Sequence, residues 1–400
     1  MFSNKVRSIN ESPIRKFALN SKKACELGKN VIPLNIGQPD LLTPKEFLES
    51  IKNINEDTVI AYTPSNGIDE LLVAFSGYFK SFDINYEPDD ILITNGGSEA
   101  LSFTFATLCD PGEEVLVIEP YYANYNTIAK TNSVNIKAIS TDYENDFRYP
   151  SYEDMKAKVS DKTKAILVTN PSNPTGIVLN EEEIMRVVKL AIEFNLFIIS
   201  DEVYREFIYD DAKFISFTNY PEIIDRLVII DSVSKRFSGC GIRIGCVASK
   251  NKEFIAQVLK LCQARLSVPL LEQIGAVGLF NANRNCINDA VEKYKIRRDV
   301  CFNEIKKMED VVCKVPQGAF YFILSLPIKS SEDFTGWLLS EFDIDNETIM
   351  LCPAGDFYES SSKGKNEIRI SYCISEDKLV RAMRILSEGL KEYKRQGRDI

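Results

Sequence analysis

The 400-residue chain contains no histidine. That absence removes Ser-His-Asp and Cys-His nucleophile systems, together with the commonest metal ligand, so no metal site is expected. Its ten cysteines form no Cys-x-x-Cys pair, and neither a zinc framework nor a dithiol redox motif is indicated. No apolar run approaches the roughly 18 residues of a membrane span. The N-terminal stretch alternates charges with short apolar pieces and lacks the unbroken apolar core of a signal peptide. Positive charge is in deficit: 48 Lys and Arg face 58 Asp and Glu, a net charge of -10 that repels phosphate backbones and anionic membranes. Nucleic acid and membranes are therefore not expected partners. A reducing cytoplasm is the expected location, with most cysteines acting as small core hydrophobes. Any chemistry must rest on Lys, Asp, Tyr, Arg or a cofactor.

With 44% hydrophobic and 26% charged residues, the chain lies among ordinary folded proteins and outside the compositional range of disorder. At roughly 150 residues per domain, its length suggests two or three units, and two is the working number. Short β-rich runs at 91–94, 115–118, 136–139, 165–169, 197–200 and 227–231 alternate with amphipathic stretches. This pattern predicts an α/β fold with a mostly parallel, seven-stranded-type sheet covered on both faces. Within 181–194, Ile184, Val187, Val188, Ala191 and Ile192 repeat at helical spacing, and Asn180 with Glu183 supplies an N-cap. After residue 285 the texture changes to a long charged helix (285–308), strands at 311–315 and 320–326, and a final strand and helix, which reads as a smaller α+β domain. The last helix keeps Leu379, Met383, Leu386 and Leu390 on one side. The expected division is an N-terminal segment (1–47) without sheet pattern, packing on the small domain or a partner subunit, a large domain (48–284) and a small domain (285–400).

Three segments carry candidate chemistry. In the first, the run ending at Asp231 is followed by Ser232, Ser234 and Lys235, with Arg243 eight residues beyond the lysine. A lysine at the C-terminal end of a strand sits where α/β sheets bind ligands; it can form an imine with an aldehyde, and Arg243 can return with Ser232 to clamp a phosphate. By itself the segment reads equally well as a solvated loop holding Lys235 and Arg236. The second, Asn170-Pro-Ser-Asn173-Pro-Thr-Gly176, is a proline-fixed turn after one run, and the next run ends in Asp201 and Tyr204. A carboxylate and a phenol at adjoining sheet edges can address one ring. The third, Asn95-Gly96-Gly97-Ser98, precedes a helix whose free N–H groups suit a phosphate, although a glycine-rich helix start without a ligand is commoner. It lacks the Gly-Lys-Ser/Thr of a nucleotide-triphosphate loop.

In combination and in this order, these motifs resemble the fold-type-I pyridoxal 5'-phosphate (PLP) aminotransferases of class I/II, the aspartate aminotransferase superfamily. The resemblance runs from Leu34-Asn-Ile-Gly37-Gln-Pro-Asp40 to Ile368-Arg369-Ile-Ser371. It implies that Lys235 carries PLP as a Schiff base and shuttles the substrate α-proton, while Asp201 keeps the pyridine nitrogen protonated so that the ring serves as an electron sink. It implies further that Asn173 and Tyr204 hydrogen-bond the phenolic oxygen, that Tyr122 stacks on the ring, and that Tyr121 beside it is packing. Gly97, Ser98, Ser232 and Arg243 match the phosphate cup, and Tyr62 matches a tyrosine that enters the cup from the other subunit of a homodimer with shared active sites. Arg369, with Asn173 and the backbone at Gly37, is the implied anchor of the substrate α-carboxylate.

The implied reaction moves the amino group of an L-amino acid, aspartate-type with broad specificity, to a 2-oxo acid such as 2-oxoglutarate. A PLP-dependent carbon–sulfur (β-) lyase starts from the same carbanion, and a non-catalytic sensor is the reading from another class. Some bacterial aspartate aminotransferases place a lysine directly after the paired glycines to receive a distal carboxylate; here that position is Ser98. Aspartate is therefore expected to be accepted without strong preference over methionine or aromatic donors, unless Arg15 or Lys16 of the N-terminal segment supplies the charge.

Overall fold

The fold is described from a computed structural model, which covers residues 2–398; Met1, Asp399 and Ile400 lie outside the described residues. The chain first forms a short strand, β1 (Asn30–Pro33). A seven-stranded sheet follows, built from β2 (Ile91–Thr94), β3 (Glu114–Glu119), β4 (Asn135–Ser140), β5 (Thr163–Thr169), β6 (Phe197–Asp201), β7 (Leu227–Ser232) and β8 (Gly245–Ala248), in the spatial order β2-β8-β7-β6-β5-β3-β4. The six expected runs fall on β2 to β7. The seventh strand was not read from sequence, since Gly245 opens a run of only four residues without alternation. β8 pairs antiparallel with both β7 and β2, whereas the remaining pairs are parallel. The chain thus leaves β7 and returns beside it through the 233–244 loop, with no crossover helix long enough to impose a parallel return. That loop contains Lys235 and Arg243.

Parallel strands covered on both faces need apolar side chains at successive positions. In β7, Leu227 to Ile230 are all 0% exposed. Their side chains alternate between two cores: Leu227 and Ile229 join Ile166, Ile198 and the helix Glu181–Glu193 on one face, and Val228 and Ile230 join Leu167, Ile199 and the helix Gly97–Leu108 on the other. Each such aliphatic side chain contributes about 1.5–3 kcal/mol through burial. The Glu181–Glu193 helix starts with the expected reciprocal cap between Asn180 and Glu183. Its stripe differs in one position, because Ile192 is 48% exposed and Leu190 is buried instead. Ile192 is a full 100° around the helix from Ala191, past the edge of the buried face.

The later part forms a four-stranded sheet in the order β12-β13-β10-β9, from β9 (Val312–Cys313), β10 (Tyr321–Ser325), β12 (Cys352–Pro353) and β13 (Glu367–Ser371). β11 (Glu347–Met350) lies outside it and pairs in parallel with β1. The N-terminal segment, expected to lack sheet pattern, therefore supplies a strand, one too short for alternation to be legible. The helix Ala18–Glu26 packs on the helix Ser331–Ser340, while the helix Asn4–Arg7 contacts the helix Asn124–Thr131 beside the large sheet. The long helix is Asn285–Ile305, three residues shorter than expected, and the 311–315 strand contracts to the two residues that pair with β10. The Glu376–Arg395 helix buries Leu379, Met383, Leu386 and Leu390 against it. Between the sheets, the C-terminal ends of β5, β6 and β7 face β13 and the loop following β1, the crevice where open α/β sheets take ligands.

Candidate active site

β7 ends at Ser232, whose hydroxyl accepts from the Ser234 N–H at 3.0 Å and caps a single helical turn, Val233–Arg236. This turn presents Lys235, which is partly buried. Its Nζ donates to the Gly37 carbonyl at 2.9 Å, lies 3.9 Å from the Cys240 Sγ, and stands 5.9 Å from the ring centres of Tyr204 and Phe320. No carboxylate pairs with it among the described residues. Gly37 can take this place only as glycine, because a Cβ would collide with the buried hydroxyl end of Tyr321. Arg236, left open above as a loop residue, is buried: it stacks on Tyr78 at 3.9 Å and pairs with Asp231.

On the adjacent strand, Asp201 is 5% exposed at the end of β6. Its carboxylate accepts from the Tyr125 hydroxyl at 2.6 Å and from the Val203 N–H at 3.4 Å, and meets no cation among the described residues. Burial pushes its carboxyl up to about 6, against the pull of those two hydrogen bonds. Tyr125 was not singled out in the sequence. Its only local signal is its place one helical turn after Tyr122, whose ring meets it edge to face at 5.5 Å. Tyr121, read as packing, is buried and donates to Asn126 Oδ1 at 2.8 Å.

A hydrogen-bonded row crosses the crevice. Tyr204 and Tyr321 share a hydroxyl contact of 2.8 Å, Asn173 Nδ2 donates to the Tyr204 oxygen at 3.4 Å, and Asn173 Oδ1 accepts from Arg369 at 3.0 Å. Arg369, on β13 and 1% exposed, also donates to the Asn35 carbonyl at 2.6 Å and lies 4.5 Å over the Tyr321 ring. Among the described residues its Nε has no partner and, like Lys235, it faces no carboxylate. Tyr321 and Asn35 were also missed, since a strand aromatic and a loop asparagine carry no distinguishing pattern.

The third segment starts the helix Gly97–Leu108, whose first N–H groups have no intrahelical acceptors. Arg243 lies across it and donates to the carbonyls of Asn95 at 3.2 Å and Cys240 at 2.9 Å. Gly96 has a φ of 76°, and a Cβ there would strike the Arg243 guanidinium, so the close approach requires glycine. Ser98 and Arg243 are exposed. Lys235, Asp201, Asn173, Tyr204, Ser232, Arg369 and Gly37 are thus brought together with Tyr122, and Gly97, Ser98 and Arg243 form a rim. Tyr62 stands apart within one chain, 80% exposed.

An aldehyde- and phosphate-bearing pyridine fits this donor set. A primary amine is available for the carbonyl, a buried carboxylate without a cation for the ring nitrogen, and a helix N-terminus with an arginine for the phosphate. Among the described residues there is no group of three or more His, Cys, Asp or Glu placed to hold a metal.

Comparison with known proteins agrees with this chemistry. The sequence profile of the family "Aminotransferase class I and II" matches residues 29–386. A probable aspartate aminotransferase of Methanocaldococcus jannaschii is 32% identical over 395 residues, spanning 97% of this chain and 99% of that protein. A probable N-acetyl-LL-diaminopimelate aminotransferase of Bacillus subtilis is also 32% identical, over 95% and 93% of the two chains. Among solved structures, the aspartate aminotransferase of Thermotoga maritima superposes with a TM-score of 0.89 at 28% identity, covering 98% of this chain and all of that one. The chain belongs to the class I and II aminotransferases and is a transaminase.

Proposed function

We propose that the crevice binds PLP through Lys235 and transfers amino groups between L-amino acids and 2-oxo acids, with aspartate-type substrates among them. The observation that carries this reading is the convergence of Lys235, Asp201 and Arg369, three ionisable groups that among the described residues are each met by neutral partners alone. Bound there, PLP supplies an electron-withdrawing ring that makes the Cα–H bond of an attached amino acid acidic. Asp201 is the anion against which a protonated ring nitrogen is stable, and Tyr125 holds that carboxylate in place. Asn173 and Tyr204 offer neutral donors to a ring oxygen. The phosphate falls to the N–H groups at Gly97 and Ser98, to Ser232 and to Arg243.

Arg369 offers its guanidinium to the substrate α-carboxylate, with Asn173 Oδ1 and the Asn35 carbonyl fixing its plane. Lys235 Nζ, once released to the free amine, takes the α-proton and returns it; its hydrogen bond to the Gly37 carbonyl keeps it beside the reacting carbon. We place Tyr62 in the phosphate cup of a second copy of the chain. Its exposure, next to the exposed apolar Val59 and Ile60, supports a homodimer with shared sites. A cytoplasmic setting is part of the same reading.

The test is a half-reaction. Adding an amino acid without acceptor to the PLP-loaded protein should convert the cofactor spectrum to that of its aminated form, and adding a 2-oxo acid should restore it. Ammonia and pyruvate released with no accumulation of aminated cofactor would favour a β-lyase instead.

A further inference from the structure

Tyr321 opens β10 and pairs with Ser371 of β13, which puts Arg369 at the diagonal position on the same face of the sheet. That register lays the Arg369 guanidinium 4.5 Å over the Tyr321 ring. The ring also meets that of Tyr204 edge to face, with centres 5.8 Å apart. Its hydroxyl reaches the Tyr204 oxygen at 2.8 Å and abuts Gly37, whose carbonyl accepts from Lys235. Tyr321 is 2% exposed, and it has no role in the chemistry described above.

The direction of the Tyr204–Tyr321 hydrogen bond follows from the protons available. A guanidinium only donates, so Asn173 turns Oδ1 to Arg369 and Nδ2 to the Tyr204 oxygen, which is thereby already an acceptor. Each phenol has one proton to give. Given to Tyr321, the Tyr204 proton would leave the buried Tyr321 proton without an acceptor among the described residues, in a corner closed by Gly37. Donation by Tyr321 leaves the Tyr204 proton over instead, and Tyr204 faces the crevice, with Lys235 Nζ 5.9 Å from its ring centre. Burial raises the Tyr321 phenol and the guanidinium over its ring pulls it back, which favours the same direction.

We propose that Tyr321 is a positioning residue: it donates to Tyr204 and so turns the Tyr204 proton toward the phenolic oxygen of the cofactor, a role that rests on the PLP reading above. A hydrogen bond to that oxygen is worth most once the proton it shares with the lysine nitrogen has left, because the oxygen then bears full negative charge. The Tyr204 donor therefore lowers the pH at which the bound cofactor loses that proton.

The experiment titrates the visible absorbance of the PLP-loaded protein against pH for wild type, Tyr321→Phe, Tyr204→Phe and the double variant. Tyr321→Phe keeps the ring and removes only the hydroxyl. Its midpoint should lie about one pH unit above that of wild type, the scale of one hydrogen bond to a charged oxygen. Tyr204→Phe should move the midpoint the same way and at least as far. The double variant should go no further than Tyr204→Phe alone, because Tyr321 acts through Tyr204. In turnover, Tyr321→Phe should lower kcat and leave KM within about twofold, since the ring still lies under Arg369. An unshifted midpoint in Tyr321→Phe, or shifts that add in full in the double variant, would overturn the proposal. Those results would leave the transaminase reading standing, whereas a wild-type protein that takes up no PLP would sink both.

Discussion

Two layers of ionisable groups, one fully buried and the other reaching into the crevice, lie one residue apart at the ends of β6 and β7, and they are solved in opposite ways. In the lower layer Glu202, Arg205, Asp231 and Arg236 are each 3% exposed or less, and every charge meets its opposite. Arg205 reaches Glu202 at 2.5 Å and Asp231 at 3.1 Å, Arg236 pairs with Asp231, and Ser200 donates to Glu202 at 2.9 Å. In the upper layer Asp201 and Lys235, the immediate neighbours of Glu202 and Arg236, meet only hydroxyl, N–H, carbonyl and thiol groups among the described residues. The cluster of two acids and two bases is internally neutral and needs nothing from outside. The upper groups have no such partners, and a ligand with a cationic ring nitrogen for Asp201 and a carbonyl for the Lys235 amine would supply them. Buried charge marks a ligand site here only where it is uncompensated.

The comparison is tested hardest at Asp201. Asp201→Ala should lower turnover by about a thousandfold or more, on the order of 4 kcal/mol of barrier, while leaving the fold intact. Loss of less than about tenfold would place Asp201 with the structural charges. Asp231→Asn should do the reverse. It leaves Arg205 and Arg236 short of an anion in a dry interior, so stability should fall by about 3 kcal/mol whether or not PLP is present. Equal urea midpoints for variant and wild type would contradict the compensated account.

A pH experiment on protein stripped of PLP sharpens the contrast. Burial raises the Asp201 carboxyl from 3.8 to about 6, so the folded chain holds that proton more tightly than the unfolded chain. Ionisation therefore penalises the fold: the penalty is absent below pH ~4, grows between ~4 and ~6, and reaches about 3 kcal/mol above that. Asp201→Asn should remove it, making the stripped variant more stable than wild type at neutral pH and no different at acid pH. Superimposable stability profiles would refute the uncompensated state. The smallest effect is expected at Tyr62. Tyr62→Phe removes one hydroxyl and should weaken PLP retention by about 1 kcal/mol. Mixing with Lys235→Ala subunits should restore activity if sites are shared, and no recovery would mean that each site is built from one chain.

Much of this contrast was legible in the sequence on one side only. The strands β2 to β7 could be read because a doubly covered parallel sheet demands unbroken apolar runs, and Asp201, Tyr204, Asn173 and Lys235 stand at the ends of such runs. β1 and β8 escaped although β2 is no longer, because Asn30 and Pro33 bracket only two apolar residues in β1 and Val247 is the lone β-branched residue of β8. The lower layer was invisible for a different reason. Its bridging contact, Arg205 to Asp231, spans 26 positions, and the neutral partners of the site groups lie farther off still, Tyr125 76 positions from Asp201 and Asn35 334 from Arg369, so nothing local marks these as partners. Arg236 shows the limit most plainly: next to Lys235 its sequence suits a solvated loop, yet Tyr78 and Asp231 enclose it.

The claim that uncompensated charge marks the cofactor site is tested most directly by reducing the PLP-loaded protein with borohydride and mapping the labelled peptide. The account predicts one label, on Lys235, the amine that faces neutral groups at the ends of β6 and β7. A label on any other lysine, or none at all, would contradict it.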